Sequence, residues 1–156
     1  MNTPSLLDAV RIARENEKVA MESYANAAKE VGNIGAELFI QLSEFEKYHY
    51  EQLTVLIKSL EESGRYIDYK GKEFPLPPVF DIKTSQEPNK KSVMQIITEA
   101  LELEKLAEKT YVDLSESIED EEGWAMFARL AKEEHKHFLI LSKAYWSINN
   151  TGFWKW

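Results

Sequence analysis

Apolar residues recur every three or four positions along four segments of the chain, which predicts four amphipathic helices. The predicted helices cover residues 5–32, 35–64, 92–118 and 120–148. Ser5 with Asp8 resembles a capping box, and Asp120 can cap the fourth helix. Gly32 and Gly64 suit C-terminal caps because glycine accepts the left-handed backbone that often ends a helix. These features predict an all-α protein.

The helical period is lost over residues 65–90, a segment that contains four of the five prolines. A connection of this length is expected to run along a bundle and join two parallel helices. We therefore predict an antiparallel four-helix bundle with a long crossover between the second and third helices. Aromatic residues of the crossover are expected on the outside of the bundle; these are Tyr66, Tyr69, Phe74 and Phe80.

Polar residues interrupt the middle of every apolar stripe. The interrupting residues are Glu17, Glu46, His49, Glu104, Glu134 and His137. A bare carboxylate in an apolar core costs several kcal/mol or more, so four of them need compensation. Two divalent cations would balance four carboxylates, and each imidazole could bind one ion. The stripes therefore predict a two-metal centre inside the bundle, and its oxygen and imidazole ligands suit iron, manganese or zinc.

The interruptions form an internal repeat. The pattern Glu-x-x-Ala-x-x-x-Tyr followed by Glu-x-x-His-x-x-x-Leu occurs over residues 17–53 and again over 104–141. The two halves are therefore expected to be related by a pseudo-twofold axis. Tyr24 and Tyr111 are the tyrosines of the Glu-x-x-Ala-x-x-x-Tyr segment in the two copies. They are either core aromatics with hydrogen-bonded hydroxyls or side chains that orient a ligating carboxylate.

Other acidic and imidazole side chains lie beside the stripes and are not expected to bind metal. His135 is off the stripe of the fourth helix and is expected at the surface. Four further glutamates are interpreted as solvated residues near lysines: Glu44, Glu51, Glu102 and Glu133.

Composition restricts the class of protein. A chain of 156 residues with 44% hydrophobic content suits one domain, and a formal charge of −8 argues against a nucleic-acid partner. The chain has no Cys, which excludes thiolate metal sites within it, so an electron relay would be a separate molecule. Neither a leader pattern nor a membrane-length apolar stretch is present in the sequence, which predicts a soluble, cytoplasmic protein.

The paired Glu and Glu-x-x-His patterns resemble the rubrerythrin group of the ferritin-like superfamily over nearly the whole chain. The resemblance implies a di-iron centre with the six interrupting residues as ligands and Glu46 and Glu134 as bridges. Rubrerythrins carry a further carboxylate three residues past the ligand of the third helix, where this chain has Ala107; Glu108 should face away. The resemblance therefore implies a plainer six-ligand site, like a ferroxidase centre.

The resemblance implies oxidation of two ferrous ions by hydrogen peroxide or dioxygen, as in a rubrerythrin-like peroxidase or a ferroxidase. It also implies an external electron-donor protein and a role in oxidative stress or iron handling. Three alternatives stay open. They are an iron-storage cage, a metal-binding stress protein without turnover, and a structural bundle with protonated carboxylates. The aromatic tail is expected either to seal one end of the bundle or to form a homodimer contact; its residues are Phe153, Trp154 and Trp156.

Overall fold

The computed structural model describes residues 5–31, 35–72 and 90–151, and leaves out the side chains of 90–92 and 149–151. The described chain forms four helices and no strand: α1 (Leu6–Val31), α2 (Ala36–Ser63), α3 (Lys90–Ser117) and α4 (Glu121–Thr151). The prediction of an all-α four-helix bundle is confirmed. The largest boundary difference is three residues (151 − 148), at the end of α4.

Local hydrogen bonds explain where the helices begin and end. The Ser5 hydroxyl oxygen accepts a hydrogen bond from the Asp8 backbone N–H at 3.1 Å, and Asp120 Oδ1 accepts one from the Gly123 N–H at 2.8 Å. Gly64 has a φ of 71°, and its N–H donates to the Leu60 carbonyl oxygen at 3.1 Å. The predicted cap at Gly32 lies outside the described residues.

The helices pack as two antiparallel pairs, α1 with α2 and α3 with α4. Tyr24 of α1 reaches Glu104 of α3, while Tyr111 of α3 reaches Glu17 of α1, so α1 and α3 are antiparallel. It follows that α2 and α3 are parallel. The end of α2 and the start of α3 lie at opposite ends of the bundle, as a long crossover requires.

Two apolar cores fill the two ends of the bundle. The first includes Tyr24, Phe39, Ile97 and Leu141. The second includes Val10, Leu53, Tyr111, Phe127 and Leu130. The six interrupting residues form a layer between these cores, so the polar groups sit at mid-length with close-packed apolar side chains on both sides.

The beginning of the crossover is part of the second core. Tyr69 is only 4% exposed and packs there, so the prediction that it lies outside the bundle is wrong. The Tyr48 hydroxyl donates a hydrogen bond to the Lys70 carbonyl oxygen at 2.6 Å, which fixes this segment against α2. Tyr66 is half-buried against the same core. The remaining aromatic residues of the crossover and tail lie outside the described residues; these are Phe74, Phe80, Phe153, Trp154 and Trp156.

Among the described residues, every helix is too short or too polar to cross a membrane.

Candidate metal centre

All six interrupting side chains meet in the middle of the bundle, and none is more than 2% exposed. Each of the four helices contributes one carboxylate, and α2 and α4 each add an imidazole one turn further along. The stripe positions explain this arrangement, because residues three apart on a helix project from the same face. The structure thus brings together every residue that the sequence predicted as a ligand.

The potential ligand atoms form two groups of four. One consists of Glu17, Glu46, His49 and Glu134; the other consists of Glu46, Glu104, Glu134 and His137. Within each group the ligand atoms all lie within 4.8 Å of one another. Glu46 and Glu134 belong to both groups, so each could contact an ion held in either group.

Both imidazoles direct Nδ1 at the carboxylates. His49 Nδ1 lies 3.3 Å from Glu17 Oε2 and 3.2 Å from Glu134 Oε1. His137 Nδ1 lies 3.0 Å from Glu46 Oε1 and 3.5 Å from Glu104 Oε1. One imidazole thus belongs to each group.

Glu17 and Glu104 each belong to only one of the two groups and are called the unshared carboxylates below. Two tyrosines donate hydrogen bonds to them, each from the other half of the repeat. The Tyr24 hydroxyl donates a hydrogen bond to Glu104 Oε1, and the Tyr111 hydroxyl donates to Glu17 Oε1. Each phenol therefore orients the carboxylate of the other half of the repeat, not its own. Burial, followed by the charge of the nearby carboxylate, raises the pKa of both hydroxyls, so they keep the proton that they donate.

Glu133 corrects one of the sequence predictions. It was expected on a solvated face, but it is 6% exposed and lies against the buried side of His49. Its Oε1 accepts hydrogen bonds from the Tyr69 hydroxyl at 3.0 Å and the Lys72 backbone N–H at 3.1 Å. The same oxygen lies 3.5 Å from His49 Nε2. The start of the crossover covers this face of α4 and turns a surface position into a buried one.

The two halves of the centre differ at this position. Counting 88 residues from Glu46 to Glu134 (134 − 46) places Phe45 at the position equivalent to Glu133. The Phe45 ring meets the His137 ring edge-on, with centroids 4.5 Å apart. A carboxylate therefore lies beside Nε2 of His49, whereas the equivalent position beside His137 holds an aromatic ring, so the surroundings of the two imidazoles differ.

The electrostatics of the metal-free centre favour bound protons. Burial, together with the charges of Glu17 and Glu104, raises the pKa of Glu46 well above its ordinary range. Burial and the charges of Glu104 and Glu46 raise the pKa of Glu134 in the same way. Without cations, the two shared carboxyls therefore bind protons more tightly than ordinary glutamates do.

The pKa values of the two imidazoles and of the Glu17 carboxyl are set by the charged neighbours of each group, which outweigh burial. Burial alone would lower the pKa of His49, but Glu17 and its other carboxylate neighbours outweigh burial and raise it. The pKa of His137 is raised for the same reason, chiefly by Glu104. Burial alone would raise the pKa of Glu17, yet His49 and the Tyr111 hydroxyl outweigh it and lower that pKa.

The donors fit a pair of divalent cations. Several buried oxygen and nitrogen atoms of the centre have no hydrogen-bond partner within the described chain: Glu17 Oε2, both oxygens of Glu46, Glu104 Oε2, Glu134 Oε1 and both ring nitrogens of His49. Buried polar atoms without partners are rare, and metal coordination is one explanation for a cluster of them. Buried glutamate and histidine groups at this spacing could hold metal ions.

Comparison with protein-family models, with curated protein sequences and with solved structures found no match to this chain. The candidate centre is therefore assigned from its geometry.

The residues that the sequence placed away from the centre do lie away from it, with the exception of Glu133. His135 is exposed, and its Nδ1 lies 3.0 Å from Glu108 Oε1, so both face away from the metal layer. Glu44, Glu51 and Glu102 are exposed as predicted.

Replacing Glu133 with glutamine should weaken metal binding beside His49 by roughly 10- to 100-fold, because a carboxylate that supports a ligating histidine typically contributes that much. Glutamine keeps the size and the acceptor oxygen but removes the charge. Competition with a chelator would show one of two binding steps shifted. Glu62→Gln, at an exposed position of α2, is the matched control. An unchanged titration, or two steps shifted equally, would contradict the inequivalence of the two positions.

Proposed function

We propose that the chain is a di-iron carboxylate protein of the rubrerythrin-like kind, redox-active with hydrogen peroxide or dioxygen. The observation that carries the proposal is the pair of four-residue groups that share Glu46 and Glu134. Two adjacent iron ions can together give two electrons, which is the number that reduction of a peroxide requires. Oxygen ligands and imidazoles also suit manganese and zinc, so the choice of iron rests on the resemblance of the motifs.

The roles of the protein side chains follow from their positions. The bound iron would supply the electrons, and the protein would supply geometry, exclusion of water and proton control. Tyr24 and Tyr111 orient the unshared carboxylates through their hydroxyl hydrogen bonds. Glu133 Oε1 lies 3.5 Å from His49 Nε2 and would orient the ring of this ligand.

An external electron donor completes the proposed cycle, because a chain without cysteine contains no thiolate relay of its own. The donor would have to return two electrons after each turnover. A metal-binding protein without turnover is the competing function, and it predicts a centre that binds the same ions but does not oxidise them faster than buffer does.

The test is anaerobic loading with ferrous iron, followed by addition of hydrogen peroxide or of dissolved dioxygen in separate samples. We expect close to two irons per chain and a rapid rise of ferric absorption in the near ultraviolet. Glu46→Gln should abolish both, whereas Glu44→Gln, at an exposed position two residues earlier, should abolish neither. Two bound irons that oxidise no faster than free ferrous ion would reject the redox function in favour of metal binding alone. Absence of stoichiometric metal would reject both.

A further inference from the structure

A cleft between α1 and α3 leads from the surface to the candidate centre. Its volume is about 210 Å³, and its floor includes Glu17 and Glu46. Its walls are mostly small or apolar, with Val19, Ala20, Leu103, Leu106 and Ala107, and also include the polar residues Asn16, Thr110 and Tyr111. The buried layer of carboxylates is thus approached from one side through an apolar passage.

The repeat explains why the passage exists. Ala20 and Ala107 each follow the unshared glutamate of their helix by three residues (20 − 17 and 107 − 104) and are equivalent positions of the two halves. Both side chains end at Cβ where α1 passes α3, so the two helices leave space directly above the carboxylates. A longer side chain at either position would occupy that space.

The mouth of the cleft exposes apolar surface. Val19 and Leu106, the residues immediately before the two alanines, are 55% and 62% exposed. Such apolar side chains contribute little to folding where they are, but they would contribute contact area to an apolar guest. The largely apolar walls offer few partners to a charged molecule.

We infer that this cleft is the substrate pocket of the centre and that it takes an organic hydroperoxide, an uncharged molecule whose apolar body is about one ring with a short branched substituent. An apolar cavity of roughly 150 Å³ can hold benzene, so the cleft has room for a body of this size. Hydrogen peroxide would fit but would leave the apolar walls without contacts. This inference rests on the proposed di-iron function for its chemistry.

The reaction balances with two ferrous ions as reductant. The O–O bond of ROOH breaks and takes up two electrons, one from each iron, and two protons. One oxygen leaves as the alcohol ROH and the other as water, and both irons become ferric. The alcohol keeps the apolar body of the substrate, so an unreactive alcohol is a suitable probe of the pocket.

Binding is tested on the full chain loaded with zinc, which is redox-inert, with ¹³C-labelled alanine methyl groups and 2-phenyl-2-propanol as the probe. We expect saturable shifts of the Ala20 and Ala107 methyl signals. Ala107→Trp should remove the shifts at Ala20 by filling the cleft. Leu106→Asp should weaken binding at least tenfold by placing a charge at the mouth, and its exposure protects the fold. Leu139→Asp, at a 52% exposed position of α4, is the matched control and should bind as wild type does.

Single-turnover oxidation of the ferrous protein then identifies the substrate. The rate with cumene hydroperoxide, divided by that with hydrogen peroxide, should fall at least tenfold in Leu106→Asp and Ala107→Trp but not in Leu139→Asp. Probe binding without faster oxidation by the organic hydroperoxide would overturn its assignment as substrate. Two bound metals without methyl shifts would overturn the pocket and leave the proposed function standing. Methyl shifts in a chain that binds no metal would reject the proposed function instead.

Discussion

Glu46→Gln should bind almost no metal, whereas Glu17→Gln should still bind close to one ion per chain. Glu46 belongs to both four-residue groups, but Glu17 belongs to only one. Loss of a shared ligand should therefore weaken the binding of both ions. We expect the affinity for each ion to fall by more than about 100-fold, which exceeds the loss typical when a group that only supports a ligand is replaced. Equilibrium dialysis against iron, manganese or zinc with elemental analysis gives the stoichiometry directly.

Glutamine is the right replacement because the fold should tolerate it. Glutamine has nearly the shape of a glutamic acid side chain and carries no charge, and burial raises the pKa of Glu46 and so disfavours its charged form. The companion variants are Glu134→Gln, expected to behave like Glu46→Gln, and Glu104→Gln, expected to behave like Glu17→Gln. If Glu17→Gln and Glu46→Gln lost metal equally, the division into shared and unshared ligands would be wrong.

The six residues of the centre could be found from the sequence because they violate a strong pattern. A helix in a bundle repeats apolar residues every three or four positions, so a glutamate within that stripe is conspicuous. Glu17 and Glu104 each interrupt such a stripe at matching depth, and the helix geometry then places them in one layer. The same periodicity placed the helix boundaries within three residues of those observed (151 − 148 for the largest difference).

Residues that are buried by the crossover, which has no helical period, could not be predicted in this way. Glu133 is buried by Tyr69 and Lys72, which lie in a stretch without helical period. On a helical projection it lies beside the stripe and resembles a solvated glutamate. One signal was available: Glu133 directly precedes Glu134, so an additional buried carboxylate near the centre could have been suspected.

Contacts that depend on how the helices pair could not be predicted from the sequence either. The repeat indicated Tyr24 and Tyr111, but it did not predict that each would bind the glutamate of the other half of the repeat. That exchange follows from the antiparallel course of α1 and α3, which is a property of the tertiary fold. The cleft at Ala20 and Ala107 has the same origin, because an alanine opens a passage only where a second helix crosses it.

Metal should stabilise the protein strongly, and the stabilisation should grow with pH. Two ions held at about 100 times their dissociation constants would each add roughly 2.7 kcal/mol. For a chain of this size, about 5 kcal/mol corresponds to a rise of roughly 10–20 °C in Tm. Metal ligands must be deprotonated, so binding also releases the protons that the metal-free centre holds.

The sign of the pH dependence follows from the direction of each pKa shift. Glu46, Glu134, His49 and His137 all have raised pKa values in the folded chain. Such groups add stability below their unfolded pKa, and that stability is lost as pH rises through the folded pKa. Glu17 has a lowered pKa, so its contribution is lost only in acid, below 4.5. Above the ordinary histidine value of 6.5, the metal-free protein should therefore become less stable as pH rises.

Thermal melts between pH 6 and 9, with a chelator and with saturating zinc, test this directly. We expect Tm to fall with pH in the chelator and the gap between the two curves to widen. Calorimetry in buffers of different ionisation enthalpy should register net proton release on metal binding. The Glu46→Gln variant should show a small gap that hardly changes with pH, because it lacks a shared ligand of both groups. A metal-free Tm that rises over this range would mean that the buried carboxyls and imidazoles are not held protonated, and zinc without effect on Tm would exclude a metal centre.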